Sequence, residues 1–201
     1  MGYNIFSFGI NPDKVGASIG SKDKDLLNEI LETEIFRLYS DQDSSWHVST
    51  KAALEQIIFG KPYIEESAHS YWYALISICA HLGEKLIGTH EIKLGYETDL
   101  INGFMLSDFG TNIIIEEELL RENVSFGLPQ VDDWPLAGIL NKMEINTLFQ
   151  KFTSIEITDE TIEKLSEEDD EKEMAYDSIR QIKENLSFCL KNNLNLISFC
   201  H

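Results

Sequence analysis

The sequence predicts a mostly helical α+β domain in which a small sheet contains both the first and the last strand of the chain. Three observations carry this. Residues 3–8 and 194–199, at opposite ends, are rich in aromatic and β-branched side chains. Residues 67–85 and the stretch from Ala175 to Leu190 repeat apolar positions every three or four residues, as helices with a buried stripe do. The 201-residue length, with 43% hydrophobic and 10% aromatic side chains, supports one core of ordinary size, and neither an internal repeat nor a Pro- or Gly-rich linker divides residues 1–201.

The opening strand, residues 3–8, stops at the Asn11-Pro12 turn signal. Ser21 then serves as an N-cap for a helix from about Asp23, whose apolar face is Leu26, Leu27, Ile30 and Leu31. Residues 35–38 fit either a continuation of that helix or a strand, and the polar run 40–45 interrupts whichever forms. Thr50 caps a short helix that ends near Gly60, ahead of Pro62. In the helix of residues 67–85, Tyr71, Trp72, Leu75, Ile76, Ile78, Cys79 and Leu82 cover a broad arc. Ser70, Ala74, Ser77 and His81 leave a narrow stripe of small or polar groups, so this helix is expected to be central and covered on several sides.

Residues 98–106 and 112–120 can each form a helix, the second with Glu116, Glu117 and Glu118 on an outer edge, although the Ile113-Ile114-Ile115 triplet also suits a strand. Residues 129–135 make a connection, after which Asp132, Asp133 and Pro135 favour the start of a helix through Leu136, Ile139, Leu140 and Met143. Residues 156–173 hold ten acids against two lysines and read as a solvated or mobile run, or an insertion. Ser166 and Asp169 form a capping-box pattern ahead of a long amphipathic helix to about Lys191, which Asn192-Asn193 can end. The helices around Ser67 and Ala175 are expected to cover the sheet.

Charge constrains the partners. Asp and Glu number 35 against 16 Lys and Arg, a formal charge of −19. Nucleic-acid affinity depends on cations that displace counterions, so a nucleic-acid partner is not expected, and the same field repels an anionic membrane. It attracts a basic protein, mainly by speeding encounter. Cys79, Cys189 and Cys200 lack a Cys-x-x-Cys pair, which suggests neither a disulfide framework nor a thiolate zinc site and fits a reducing cytoplasm. The N-terminus has no basic start or long apolar region of a signal peptide, and the apolar stretch 71–82 is too short to span a bilayer. A cytoplasmic, soluble protein is the expectation.

Several short patterns touch on catalysis. Glu66 and His69 share a helix face and supply part of a carboxylate-bridged metal site, but the second such pair that a dinuclear centre needs does not occur. Ser77 and His81 are spaced to hydrogen-bond, yet Lys85 stands where an orienting acid would be, so a structural pair is expected. Asp41 and Asp43 follow residues 36–39 as in an Asp-x-Asp phosphoryl-transfer loop, with His47 nearby, but the strand-helix alternation that would build the required parallel sheet is missing. Asp108-Phe109-Gly110 stands without the other elements of a kinase. Trp46 beside the acidic loop and Trp134 after Asp132-Asp133 are candidate recognition tips.

Met1-Gly2-Tyr3, Ile19-Gly20-Ser21-Lys22-Asp23, the helix of residues 71–83, Asp132-Asp133-Trp134-Pro135 and the closing residues 195–201 together resemble an uncharacterised bacterial family of small soluble proteins. The resemblance runs along most of the chain and implies a bacterial cytoplasmic protein. It transfers no catalytic residue.

The expected function is therefore that of a non-enzymatic acidic binding protein without a cofactor, such as an immunity-type inhibitor that masks a basic toxin or enzyme. Asp41, Asp43, Trp46, Glu116, Glu117, Asp132, Asp133 and Trp134 are its contact candidates. The alternatives are a metal-assisted hydrolase or phosphatase using Asp41, Asp43 and His47, or a site at Glu66 and His69, and a housekeeping domain of unknown role.

Overall fold

The computed structural model describes residues 3–40, 47–86, 91–131 and 134–201. The chain begins with β1 (Asn4–Ile10), α1 (Pro12–Ser18), α2 (Lys24–Leu31), α3 (Glu34–Ser40), α4 (Thr50–Phe59), a single 3-10 turn (Glu65–Ser67), α5 (Ala68–Leu82) and β2 (Glu84–Lys85). It continues with β3 (Ile92–Lys93), α6 (Glu97–Ser107), α7 (Ile115–Leu119), β4 (Leu136–Leu140), α8 (Lys142–Gln150), α9 (Asp159–Glu168), α10 (Asp170–Asn192) and β5 (Asn195–Cys200). The fold is α+β and mostly helical, with a small antiparallel sheet that includes the N- and C-terminal strands. Two compact units are distinguishable, one from the described parts of Met1–Gly9, Leu86–Asn123 and Ala137–His201, the other from Ile10–Lys85 and Val124–Leu136.

In the first unit the strands lie in the order β1, β5, β4, and β3 pairs with the start of β1 through Asn4 with Lys93 and Ile5 with Ile92. Asn4 and His201 exchange backbone hydrogen bonds at 3.1 and 3.3 Å, and Ser7 meets Ser198 hydroxyl to hydroxyl at 2.7 Å. As one strand advances the other retreats, so the first and last strands run antiparallel. β5 has a neighbour on each side, and every residue of it from Leu196 to Cys200 is buried. α10 packs on β5 and also on α6, α8 and α9, burying Ala175, Ile179, Ile182, Leu186 and Cys189. Asp169 caps its start by accepting from the Lys172 N–H at 3.0 Å, and Asn193 ends it in the left-handed conformation with φ of 61°.

Two expectations for this unit are corrected. The helix expected through Leu136, Ile139, Leu140 and Met143 is a strand as far as Leu140, and α8 begins only after Asn141, whose side chain and that of Glu144 cap each other's backbone N–H groups. Local spacing suggested a helix, but residues 136–140 pair with β5 in the sheet, and the backbone of residues 119–121 passes so close to Gly138 that only a residue without a Cβ fits. Glu122 N–H donates to Ala137 O, and the Asn123 amide both accepts from Ile139 N–H at 2.8 Å and donates to Ile139 O at 2.9 Å. The free edge of β4 is thereby covered, which removes a template for unwanted strand pairing. The second correction concerns Ser166, which lies within α9 and bonds back to Glu163 O; Asp169 alone caps α10.

In the second unit α5 is the centre. From Ala68 to Cys79 every residue but His69 is buried, and α1, α2, α3 and α4 all pack against it, as its broad apolar arc led one to expect. The small stripe admits another backbone: Ser70 Oγ donates to Val48 O at 2.7 Å. Trp72 Nε1 donates to Pro129 O at 2.8 Å. The Tyr71 hydroxyl donates to Gln56 Oε1 and accepts from Ile64 N–H at 2.9 Å. Residues 35–38, left open by the sequence, belong to a helix that also takes in Ser40 of the polar run, and Ser49 rather than Thr50 caps α4. Asn11-Pro12 starts a helix instead of a turn, because the Asn11 side chain accepts from Asp13 and Lys14 while proline at the first position needs no partner.

Candidate functional site

Asp41, Asp43, Trp46, Asp132 and Asp133 lie outside the described residues. His47 is exposed just ahead of α4. Glu66 is exposed in the 3-10 turn and His69 is half-buried in the first turn of α5. Among the described residues no group of three or more His, Cys, Asp or Glu side chains is placed to hold a metal ion. Ser77 and His81 do not bond each other: Ser77 Oγ donates to Tyr73 O at 3.1 Å, and His81 Nε2 meets Glu29 at 3.2 Å. Cys79, Cys189 and Cys200 are free and buried, and burial pushes the thiols of Cys189 and Cys200 up to about 12 and that of Cys79 upward as well. None is a thiolate nucleophile at neutral pH.

Asp108 of the Asp-Phe-Gly triplet joins α6 to α10. Its carboxylate takes Lys172 Nζ at 2.6 Å, the Tyr176 hydroxyl at 2.7 Å and Ser107 Oγ at 2.6 Å. Lys172, followed by Ser107 and Tyr176, holds the Asp108 carboxyl down at about 2. The same ammonium sits 5.3 Å from the ring centres of both Phe104 and Tyr176. Every polar group here has a partner, so the cluster reads as a structural brace.

The acids of α7 divide by role. Glu116 accepts from Asn102 Nδ2 at 3.0 Å, while Asn102 Oδ1 accepts from Ile115 N–H at 2.9 Å and thereby closes the start of the helix. Glu118 bonds Arg121 and takes Lys151 Nζ at 2.6 Å, and Arg121 reaches Glu144 at 3.2 Å. Burial raises the Glu118 carboxyl, but Lys151 and Arg121 outweigh it and hold the group below the usual range. Glu117 is exposed and, among the described residues, unpaired, on the wall of a surface cavity of about 360 Å³ that it shares with Glu118, Arg121 and Lys151. The sequence grouped Glu118 with the outward acids; Arg121 three residues later was the sign that it is an ion-pair hub. Trp134 is half-buried.

Within the acidic run of residues 156–173, Asp159–Glu168 form α9 and residues 170–173 the first turn of α10. No residue of α9 is buried; the helix packs against α10, and Ile162 and Leu165 are half-buried. Some of these acids are engaged: Asp159 meets Arg180 at 2.6 Å, Glu171 accepts from the Tyr96 hydroxyl at 3.0 Å, and Asp169 caps α10. Glu160, Glu163 and Glu167 are exposed, have no partner among the described residues and follow the three- and four-residue spacing that puts them on one face. Like charges so spaced destabilise a helix by about 0.2–0.5 kcal/mol per pair. The face carries an unfavourable charge density that a cationic surface would relieve.

The architecture defines a mostly helical α+β protein that, among the described residues, exposes an acidic helix face. A family model described as a domain of unknown function, DUF7691, matches residues 1–201, and the chain belongs to this family. No curated protein and no solved structure is matched by the chain. Among the described residues no helix is long and apolar enough to cross a membrane.

Proposed function

We propose that the protein is a non-enzymatic binding protein whose partner is a basic protein, and that it acts as an immunity-type inhibitor by masking that partner's cationic surface in the cytoplasm. The observation that supports this is the row Glu160, Glu163 and Glu167 on α9, exposed and without counter-charges among the described residues, in a chain of net charge −19. An ordered helix fixes these carboxylates in space, so their field adds in one direction and steers a cationic partner toward one face. Contacts of this kind act chiefly on the association rate and weaken with salt, since at physiological ionic strength the screening length is about 8 Å. Free, buried thiols suit the reducing compartment in which such a complex would form.

Affinity capture with the tagged full chain, repeated from low to high salt, tests the reading. The expected result is a basic protein retained at low salt and released as salt rises, with its own activity suppressed by the purified chain. Lysine at positions 160, 163 and 167 should abolish its capture. Recovery of partners indifferent to salt, or undiminished capture by that triple variant, would defeat the proposal.

A further inference from the structure

A second cavity, of about 400 Å³, opens beside the start of α9 and is walled by Phe149, Ile155, Ile157 and one side of α10. Its size is that of a site for one large side chain or a small ligand. Two cations line it, but both are already committed. Arg180 is bound by Asp159 at 2.6 Å and Asp177 at 2.7 Å, and Lys183 Nζ donates to Ile155 O at 2.5 Å. A carbonyl does not cancel the Lys183 charge, but Asp159 and Asp177 on Arg180, together with Glu156 and Glu184, both exposed and without a partner among the described residues, set four carboxylates against the two cations. The cavity thus combines an apolar floor with a net negative rim at the start of α9.

This combination selects among occupants. A small anion meets four carboxylates against two cations. A second copy of the chain brings another charge of −19 against the same rim. An apolar side chain flanked by lysine or arginine satisfies both parts, because its body removes the walls from water while its neighbours neutralise Glu156 and Glu184. We propose that this cavity is the anchor pocket for an aromatic or large aliphatic side chain on the basic partner, set between that partner's cations. The inference rests on the reading that the partner is a basic protein and adds to it a short-range contact that salt does not screen, of the kind on which binding energy concentrates.

Two lysine-rich peptides of equal charge, one with a central phenylalanine and one with alanine in its place, separate the pocket from the field. Binding to the full chain is measured at low and at physiological salt, together with binding to Ser187→Phe, which places a ring at the cavity's edge without altering charge. The phenylalanine peptide should bind wild-type protein at least about tenfold more tightly than the alanine peptide, from burial of one aromatic side chain. That advantage should survive at physiological salt and vanish in Ser187→Phe, while the alanine peptide binds both proteins alike. Equal, salt-sensitive binding of the two peptides would overturn the pocket and leave the acidic-face reading standing. Failure of both to bind at low salt would overturn the acidic-face reading itself. A phenylalanine advantage undiminished in Ser187→Phe would place the anchor elsewhere, and self-association of the wild type that this variant abolishes would make the occupant a second copy; either result refutes the proposal. Should the variant fail to fold, the peptide pair on wild-type protein still decides.

Discussion

Gly138 is a position where one added methyl group should do great harm. A Cβ built there would lie 2.2 Å from Leu119 O, 2.5 Å from Arg121 N and 2.9 Å from Leu120 Cα. All three are backbone atoms, so no side-chain rotation relieves the overlap. To reach even a 3.0 Å contact with Leu119 O the 119–121 segment must retreat by roughly 0.8 Å, and overpacking of this kind costs about 1–3 kcal/mol. The same movement pulls Glu122 N–H away from Ala137 O, now at 3.0 Å, and strains both bonds from Asn123 to Ile139. At about 1 kcal/mol for each bond weakened, Gly138→Ala should lose about 4–6 kcal/mol. Gly103 is the internal control, because it is an exposed residue within α6 whose added Cβ would meet nothing within 4 Å. Gly103→Ala should gain about 0.5–1 kcal/mol from helix propensity. Urea unfolding followed by circular dichroism measures both. A Gly138→Ala midpoint equal to or above that of wild type would show that the close approach of the two backbones is wrong.

The remaining predictions concern the sheet, the brace and the thiols. Deleting residues 194–201 removes the strand between β1 and β4 and should abolish cooperative unfolding; a truncated chain that melts as sharply and as hot as the whole would refute that role. Asp108→Asn should destabilise the protein at neutral pH. Because the folded carboxyl is held near 2 and the unfolded one titrates at about 3.9, its stabilisation is present above the unfolded value and is lost as pH falls toward 2. The gap between variant and wild type should close over that window, and a gap constant with pH would count against the Lys172 pairing. Trp72→Phe leaves the buried Pro129 carbonyl without its donor and should cost about 1–3 kcal/mol in the same urea assay. Cys79, Cys189 and Cys200 should react with a thiol reagent only at the rate of unfolding, and rapid labelling of the native protein would contradict their burial.

Much of the fold follows from signals that act over a few residues. The arc of α5, the stop at Asn193, the left-handed end of α4 at Gly60 and the terminal strands are all settled by periodicity, capping and backbone preference, and each is found where those rules put it. The net charge is additive and needs no structure at all. Where local rules compete, they mislead. Leu136, Ile139 and Leu140 satisfy a helical spacing, and only the neighbouring segment makes them a strand. Asn141 and Glu144 carry the capping-box pattern that marks the start of α8, whereas Pro135 precedes a strand.

The candidate surface divides along the same line. That residues 156–173 are acidic is plain from composition, but which carboxylates stay unpaired depends on groups far along the chain. Asp159 is neutralised by Arg180, Glu171 is held by Tyr96, and Glu118 is claimed by Lys151, whereas Glu160, Glu163 and Glu167 keep their charge exposed. Spacing along a helix says which side chains share a face, because that geometry repeats every turn. Which of them meet a distant cation, and whether an apolar cavity opens beside them, is decided by packing between elements, where contacts form at a range that no local pattern encodes.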